Sequence, residues 1–197
     1  MRQRPGRPNV TTKAELERVA LALFAEHGFE ATTVDDIAAA AGIARRTFFR
    51  YFQSKNDVVW GDFDALLSAM RAWLDDQPPE VSTFDALASA VVRFNSLPPD
   101  AVPAHRQRMT LILRVPALQA HSTLRYAAWR EVVASFVARR TTPGPVPSRQ
   151  PRLLGHLCLA TAVASYEAWL DDPDADLARL LAAGFEDLGA GALQRLG

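Results

Sequence analysis

The 197-residue chain has one cysteine, Cys158, which rules out an internal disulfide and any multi-cysteine zinc site. That thiol lies in the apolar run GHLCLATAVA and is expected to be buried and inert. No stretch of about 18 uninterrupted apolar residues occurs and no hydrophobic signal core opens the sequence. Neither a membrane span nor export is expected, and the expected location is cytoplasmic. The four histidines, His27, His105, His121 and His156, are scattered, with no His-x-x-x-His pair and no glycine-rich phosphate loop beside them. Catalysis needs a nucleophile beside a base, or paired acids in a cleft, and no such grouping is visible. The expectation is therefore no enzyme, no metal site and no cofactor. Alternating apolar and polar runs of the kind that make half-buried strands are absent too, which leaves an all-α fold.

Net charge is also missing: Lys plus Arg and Asp plus Glu both total 22. The charges are unevenly placed, however. Arg2, Arg4, Arg7, Lys13, Arg45, Arg46, Arg50 and Lys55 come early, while acids gather from Asp57 onward. A basic end on a neutral to acidic body fits a nucleic-acid reader better than the total does. At 49% hydrophobic, the chain is long enough for one or two cores.

The stretch TVDDIAAAAGIARRTFFRYFQSK, from Thr33 to Lys55, organises the first part of the chain. Thr33 and Asp36 have the hydroxyl-x-x-acid spacing of a helix start. Val34, Ile37, Ala38 and Ala41 then repeat at helical spacing, and Gly42 can take the left-handed conformation that ends a helix. The next segment sets Phe48, Phe49, Tyr51 and Phe52 beside Arg45, Arg46, Thr47 and Arg50, more cations than a buried helix carries. Two short helices joined by a glycine turn form a helix-turn-helix, whose second helix enters the DNA major groove. The expected DNA-contacting residues are Thr33, Arg45, Arg46, Thr47, Phe49, Arg50, Tyr51 and Lys55. Arg45 and Arg46 have the geometry for guanine O6 and N7, while Thr47, Tyr51 and Lys55 suit phosphate oxygens. An ordinary helical hairpin with a solvated basic face fits the motif taken alone.

From Leu16 to about Phe63 the chain resembles the N-terminal domain of the TetR family of bacterial transcriptional regulators. The blocks that carry the likeness are ALFAEHGFEATTV, IAAAAGIARRTFFRYF and SKNDVVW at this spacing. One departure is Ala44, which stands where the family usually has Ser, so a side-chain cap for the recognition helix is missing. The resemblance implies an all-α homodimer, with an N-terminal three-helix helix-turn-helix domain and a larger helical domain for ligand binding and dimerisation. Residues 1–10 read as a basic arm, which either reaches the DNA or is an inert tail; 11–57 as the DNA-binding domain; and 58–197 as the second domain.

In chain order, Thr12 and Glu15 start a first helix that runs to Gly28. Ser54 to Asp57 start another, whose apolar positions run from Val58 through Phe63 to Leu74 as one connecting rod. Later helices are expected at about 83–97, 104–115, 117–140, 152–170 and 175–196, separated by prolines, with a flexible loop at 142–147. Met70, Trp73, Phe94, Met109, Leu113, Trp129 and Tyr166 could line an adaptable apolar cavity, or fill the core. Arg106 and Arg125 belong to a basic set near that cavity, so a ligand with a greasy tail and a phosphorylated head would satisfy both features. Leu157, Ala160, Ala164, Leu181 and Phe185 are expected at a dimer interface built by isologous pairing of the last two helices, the usual dimer surface of the family. Two subunits would then read a palindromic double-stranded operator.

Three longer passages, RRTFFRYFQSKNDVVWGDFDALL, RQRMTLILRVPALQAHSTLRYAAWR and ASYEAWLDDPDADLARLL, resemble the TetR subgroup associated with mycofactocin clusters in actinobacteria. Mycofactocin is a peptide-derived redox cofactor. The likeness implies a repressor of its biosynthesis genes that is released from DNA by a long-chain acyl-coenzyme A. The rival readings are a TetR-type repressor sensing a different hydrophobic effector, and a small-molecule carrier that does not bind DNA.

Overall fold

The computed structural model describes residues 12–141 and 149–190. The expected arm at 1–10 and loop at 142–147 lie outside the described residues, as does the end of the last expected helix. All regular structure among the described residues is helical. The chain divides into two compact units after Gly61.

The first unit holds α1 (Lys13–His27), α2 (Val34–Ala40), α3 (Arg45–Tyr51) and α4 (Lys55–Val58). The local start signals work as their chemistry dictates. Thr12 Oγ1 accepts from the Glu15 amide at 3.2 Å, and Thr33 and Asp36 form a reciprocal capping box at the head of α2. Gly42 takes a φ of 65° between α2 and α3, a conformation that costs glycine nothing. Leu16, Ala20, Ile37, Phe48, Val58 and Val59 are wholly enclosed, and Phe24, Phe29, Phe52 and Trp60 pack around them. Removing that much apolar surface from water holds together helices too short to persist alone.

The connecting rod expected from Ser54 to Leu74 is broken. After α4 the chain turns through Val59–Asp62, and helix resumes only at α5 (Phe63–Asp75). Gly61 stands at the break with a φ of 54°, and its carbonyl accepts from Lys13 Nζ at 3.2 Å. Ser54 does not cap α4 through its side chain; its hydroxyl donates to Asp57 Oδ2 at 2.8 Å instead.

The second unit contains α5, α6 (Thr83–Phe94), a short 3-10 turn at Pro99–Ala101, α7 (Val102–Arg114), α8 (Pro116–Arg140), α9 (Gln150–Asp171) and α10 (Leu177–Gly189). Pro103, Pro116 and Pro151, expected to separate helices, sit inside the first turns of α7, α8 and α9. The missing N–H is harmless there, because first-turn amides have no partner within the helix. A single extended residue, Val115, divides α7 from α8. The long α8 and α9 pack along each other, α10 lies on α9, and α5 pairs with α6. Trp129, Val132, Val133, Phe136 and Val137 on α8 and Cys158, Ala162, Tyr166 and Trp169 on α9 are all buried.

Candidate functional site

Helix α3 sorts its residues by face. Phe48 is fully buried and Phe52, four residues on, nearly so, with their rings 5.7 Å apart. Helical geometry then turns Arg46, Phe49 and Arg50 away from Phe48, while Arg45, three residues before Phe48 and so on its side, stands at the first position of the helix; all four are exposed. Thr47 and Tyr51 are half-buried. Arg45 Nη1 lies 2.5 Å from Asp35 Oδ2 on α2, and its guanidinium carbon is 5.5 Å from the Phe49 ring centre. Arg50 donates to the Tyr51 hydroxyl at 3.1 Å and lies over that ring. Ala44 at the head of α3 makes no side-chain cap. The Thr33 hydroxyl is spent on the capping box, donating to Asp36 Oδ2 at 2.7 Å; bonds from Thr33 hold the Asp36 carboxyl below its ordinary pKa.

Lys55 makes contacts within the unit that local spacing does not announce. Its ammonium donates to the carbonyls of Phe29 at 2.8 Å, Thr32 at 3.0 Å and Glu30 at 3.2 Å, and it lies 4.5 Å from the Phe29 ring centre. An ammonium has three donors, and all are used inside the unit. Lys55 ties down the loop between α1 and α2.

In the second unit Met70, Trp129 and Tyr166 are buried, and Trp73, Phe94, Met109 and Leu113 are half-buried. Phe94 links Phe63 and Trp129 edge to face, at 6.0 and 6.3 Å. A chain of polar groups crosses the same core. Tyr166 donates to Asn95 Oδ1 at 2.7 Å and Asn95 donates to the Val91 carbonyl at 2.7 Å. With the phenol proton committed, His105 Nε2, 2.7 Å from the Tyr166 oxygen, must be the donor. Burial first and Arg108 second push the His105 pKa from 6.5 to about 4, so the imidazole is neutral. Neither Asn95 nor His105 was expected at the site. Their partner lies more than sixty residues away, and no local spacing marks such a contact.

The two arginines expected to grip a phosphorylated head are engaged elsewhere. Arg106 stacks 4.0 Å from the Trp169 ring centre; it donates to the carbonyls of Trp169, Asp172 and Pro173, which finish α9. Arg125 pairs with Asp64 at 3.1 Å. A surface groove of about 270 Å³ is lined by Leu113, Arg114, Glu167, Leu170 and Asp171, with Arg114 and Asp171 paired across it at 2.7 Å.

The expected interface residues divide. Ala160 and Ala164 are exposed on α9 and Leu157 is half-buried beside them. Leu181 and Phe185 belong to the chain's own core, where Phe185 packs edge to face on Phe84 at 6.1 Å; the outer face of α10 carries Ala178, Ala182 and Ala183. Cys158 is buried, and its thiol is pushed up to about 12 by desolvation. By length and composition α9 is the one helix among the described residues that could cross a membrane. Its buried face, however, is taken by α8 and α10.

Comparison with known proteins agrees with this geometry. Residues 18–59 match the bacterial regulatory proteins of the tetR family, and residues 81–193 match the MftR C-terminal domain. The chain belongs to the TetR family. It is 45% identical over 193 residues, 98% of this chain and 96% of the relative, to the Mycobacterium tuberculosis protein named "Putative mycofactocin biosynthesis transcriptional regulator MftR". A second relative, the HTH-type transcriptional regulator TcmR of Streptomyces glaucescens, is 31% identical over 87% of this chain and 79% of its own. Among solved structures, FadR of Bacillus subtilis in complex with stearoyl-CoA has a TM-score of 0.62 at 18% identity, over 90% of this chain and 97% of that one. FadR of Thermus thermophilus in complex with lauroyl-CoA has a TM-score of 0.57 at 20% identity, over 90% and 93%. These neighbours share the TetR fold, and both full-length relatives carry the names of transcriptional regulators.

Two predictions follow from the side chains that carry unexpected bonds. Replacing Lys55 with Met strands three carbonyls, so stability should fall by about 2 kcal/mol, read as an earlier urea midpoint. The salt dependence of DNA binding should be unchanged; a normal midpoint with a slope shallower by about one would return Lys55 to phosphate contact. His105 is kept neutral in the fold, whereas the unfolded chain takes up its proton as pH drops below 6.5. The unfolded state binds more protons in that window, so stability should decline between pH 6.5 and about 4 by on the order of 3 kcal/mol, with no further loss from this residue at lower pH. Urea melts of wild type and His105→Gln across that range check the sign, since Gln can donate to Tyr166 without titrating. Parallel curves would remove His105 as the cause.

Proposed function

We propose that the protein is a ligand-responsive, DNA-binding transcriptional repressor of mycofactocin biosynthesis genes, released from its operator by a long-chain acyl-coenzyme A. The observation that carries this reading is the near full-length likeness to the M. tuberculosis regulator, joined to an α3 whose Phe48 is buried in the core while Arg45, Arg46, Phe49 and Arg50 are exposed. Arg45 and Arg46 read base edges, and Thr47, Phe49, Arg50 and Tyr51 make backbone and groove contacts, with Thr33 holding the start of α2. Lys55 acts indirectly, through the loop it secures. The complexes of similarly folded FadR proteins with stearoyl-CoA and lauroyl-CoA support an acyl-coenzyme A effector. Its acyl chain would lie among Met70, Trp73, Phe94, Met109, Leu113, Trp129 and Tyr166. The site of action is the cytoplasm.

A neutral hydrophobic effector is the second reading. It is favoured by the commitment of Arg106, Arg114 and Arg125 to partners within the chain.

A gel shift with the intergenic DNA upstream of the regulated genes distinguishes these readings. The protein should retard the fragment at low salt, and palmitoyl-coenzyme A should abolish the shift while coenzyme A alone does not. No shift at low salt would favour a carrier protein; a shift indifferent to acyl-coenzyme A would favour another effector, which mass spectrometry of co-purifying molecules would identify. The exposed small residues Ala160 and Ala164 on α9 fit close approach of a second copy. Equilibrium sedimentation at micromolar concentration should therefore report a dimer, and a monomer would remove the basis for palindromic binding.

A further inference from the structure

We propose that Asp35 is a specificity-determining residue, which holds Arg45 for base reading and keeps it from the phosphates; this rests on the DNA-binding function proposed above. Asp35 lies in the first turn of α2 and Arg45 opens α3. Their side chains meet at 2.5 Å although both are more than half exposed. An exposed pair of this kind adds little to folding. Nor does Asp35 cap its helix, since Thr33 and Asp36 do so. What the carboxylate does fix is the guanidinium. It takes the Nη1 end, and the Phe49 ring supports the group from 5.5 Å. A guanidinium carries its donors in a rigid fork, so holding one end aims the Nε and Nη2 edge, whose two parallel donors match guanine O6 and N7.

Charge gives the pair a second effect. A loose arginine settles on the nearest phosphate, which adds affinity without reading sequence. Beside Asp35 the charge of the guanidinium is partly offset, and a phosphate that approaches it also meets a carboxylate. The match to a base therefore gains relative to the backbone contact. Losing Asp35 should free Arg45 for any duplex, raising indiscriminate binding and lowering discrimination together.

The test uses the full-length protein, a duplex enriched from a random pool by the wild type, and a shuffled duplex of the same composition, with anisotropy titrations over about 50 to 200 mM salt. Asp35→Asn should melt with the wild type, bind the shuffled duplex more tightly with a salt slope steeper by about one, and cut the ratio of the two affinities about tenfold. Asp35→Glu, which keeps a carboxylate in reach, should restore most of the ratio. In an Arg45→Ala background, Asp35→Asn should cost no further discrimination. An unchanged ratio and slope in Asp35→Asn, or a full additional loss in the double variant, would overturn the role of Asp35 and leave DNA binding intact. A pool that yields no enriched sequence would overturn DNA reading itself, and this inference with it.

Discussion

The burial of Phe48 fixes the reading face. Helix α3 spans Arg45–Tyr51 and begins without a side-chain cap, so neither its length nor its start would keep it helical in water. Its order comes from Phe48 and Phe52, which sit in the core of the first unit with 0 and 4% exposure. Each such ring contributes about 1.5–3 kcal/mol by leaving water, more than a lost cap costs. Once those two positions face inward, Arg46 and Arg50 are turned to the outer face, while Arg45, on the side of Phe48, is exposed at the first position of the helix. The cations are thus positioned by the aromatics, and a packing requirement becomes a functional one.

Elsewhere three basic residues serve as tethers. Lys55 gathers three carbonyls after α1, Arg106 gathers three at the end of α9, and Arg140 gathers those of Gln77, Pro78, Pro79 and Val81 between α5 and α6. Each stacks on an aromatic ring as well. Helix ends leave carbonyls without partners, and a long cationic side chain arriving from elsewhere in the fold can satisfy several at once. Composition cannot separate such a tether from a phosphate contact, because both need the same charge.

Features whose physics is local were legible in the sequence. The Thr12 and Thr33 starts and the Gly42 turn depend on neighbours within four residues or so. The break at Gly61 was hidden because the apolar positions keep helical spacing across it, and glycine within a helix costs only about 1 kcal/mol. The role of Lys55 was hidden because its acceptors lie 23 to 26 residues away, and that of Arg106 because its own lie more than sixty away. Leu181 and Phe185 show a further limit. An apolar stripe announces burial, but a chain's own core and a partner's surface ask for the same residues.

The tethers also bear on how an effector with phosphates would be held. Its head group must draw a guanidinium from an existing partner, so the accessible sites are those where that partner is weakest. Arg106 is a poor candidate, since leaving would strand three carbonyls and a stacked ring. Arg114 is exposed and held by a single carboxylate, but its groove also contains Glu167 and Asp171, two anions for one cation. Arg125 pairs with Asp64, whose side chain is 83% exposed, and lies 5.9 Å from the Phe63 ring centre with its own side chain 25% exposed; the exposed carboxylate contributes little to that hold. A phosphorylated effector that engaged Arg125 would displace Asp64 and disturb the contact with Phe63, whereas one that engaged Arg106 would strand three carbonyls. Because a ligand shifts a conformational equilibrium only through its difference in affinity between two states, a tenfold loss of operator affinity needs about 1.4 kcal/mol of coupling. An exchange at one exposed ion pair, together with burial of an acyl chain, is of the right size to supply it.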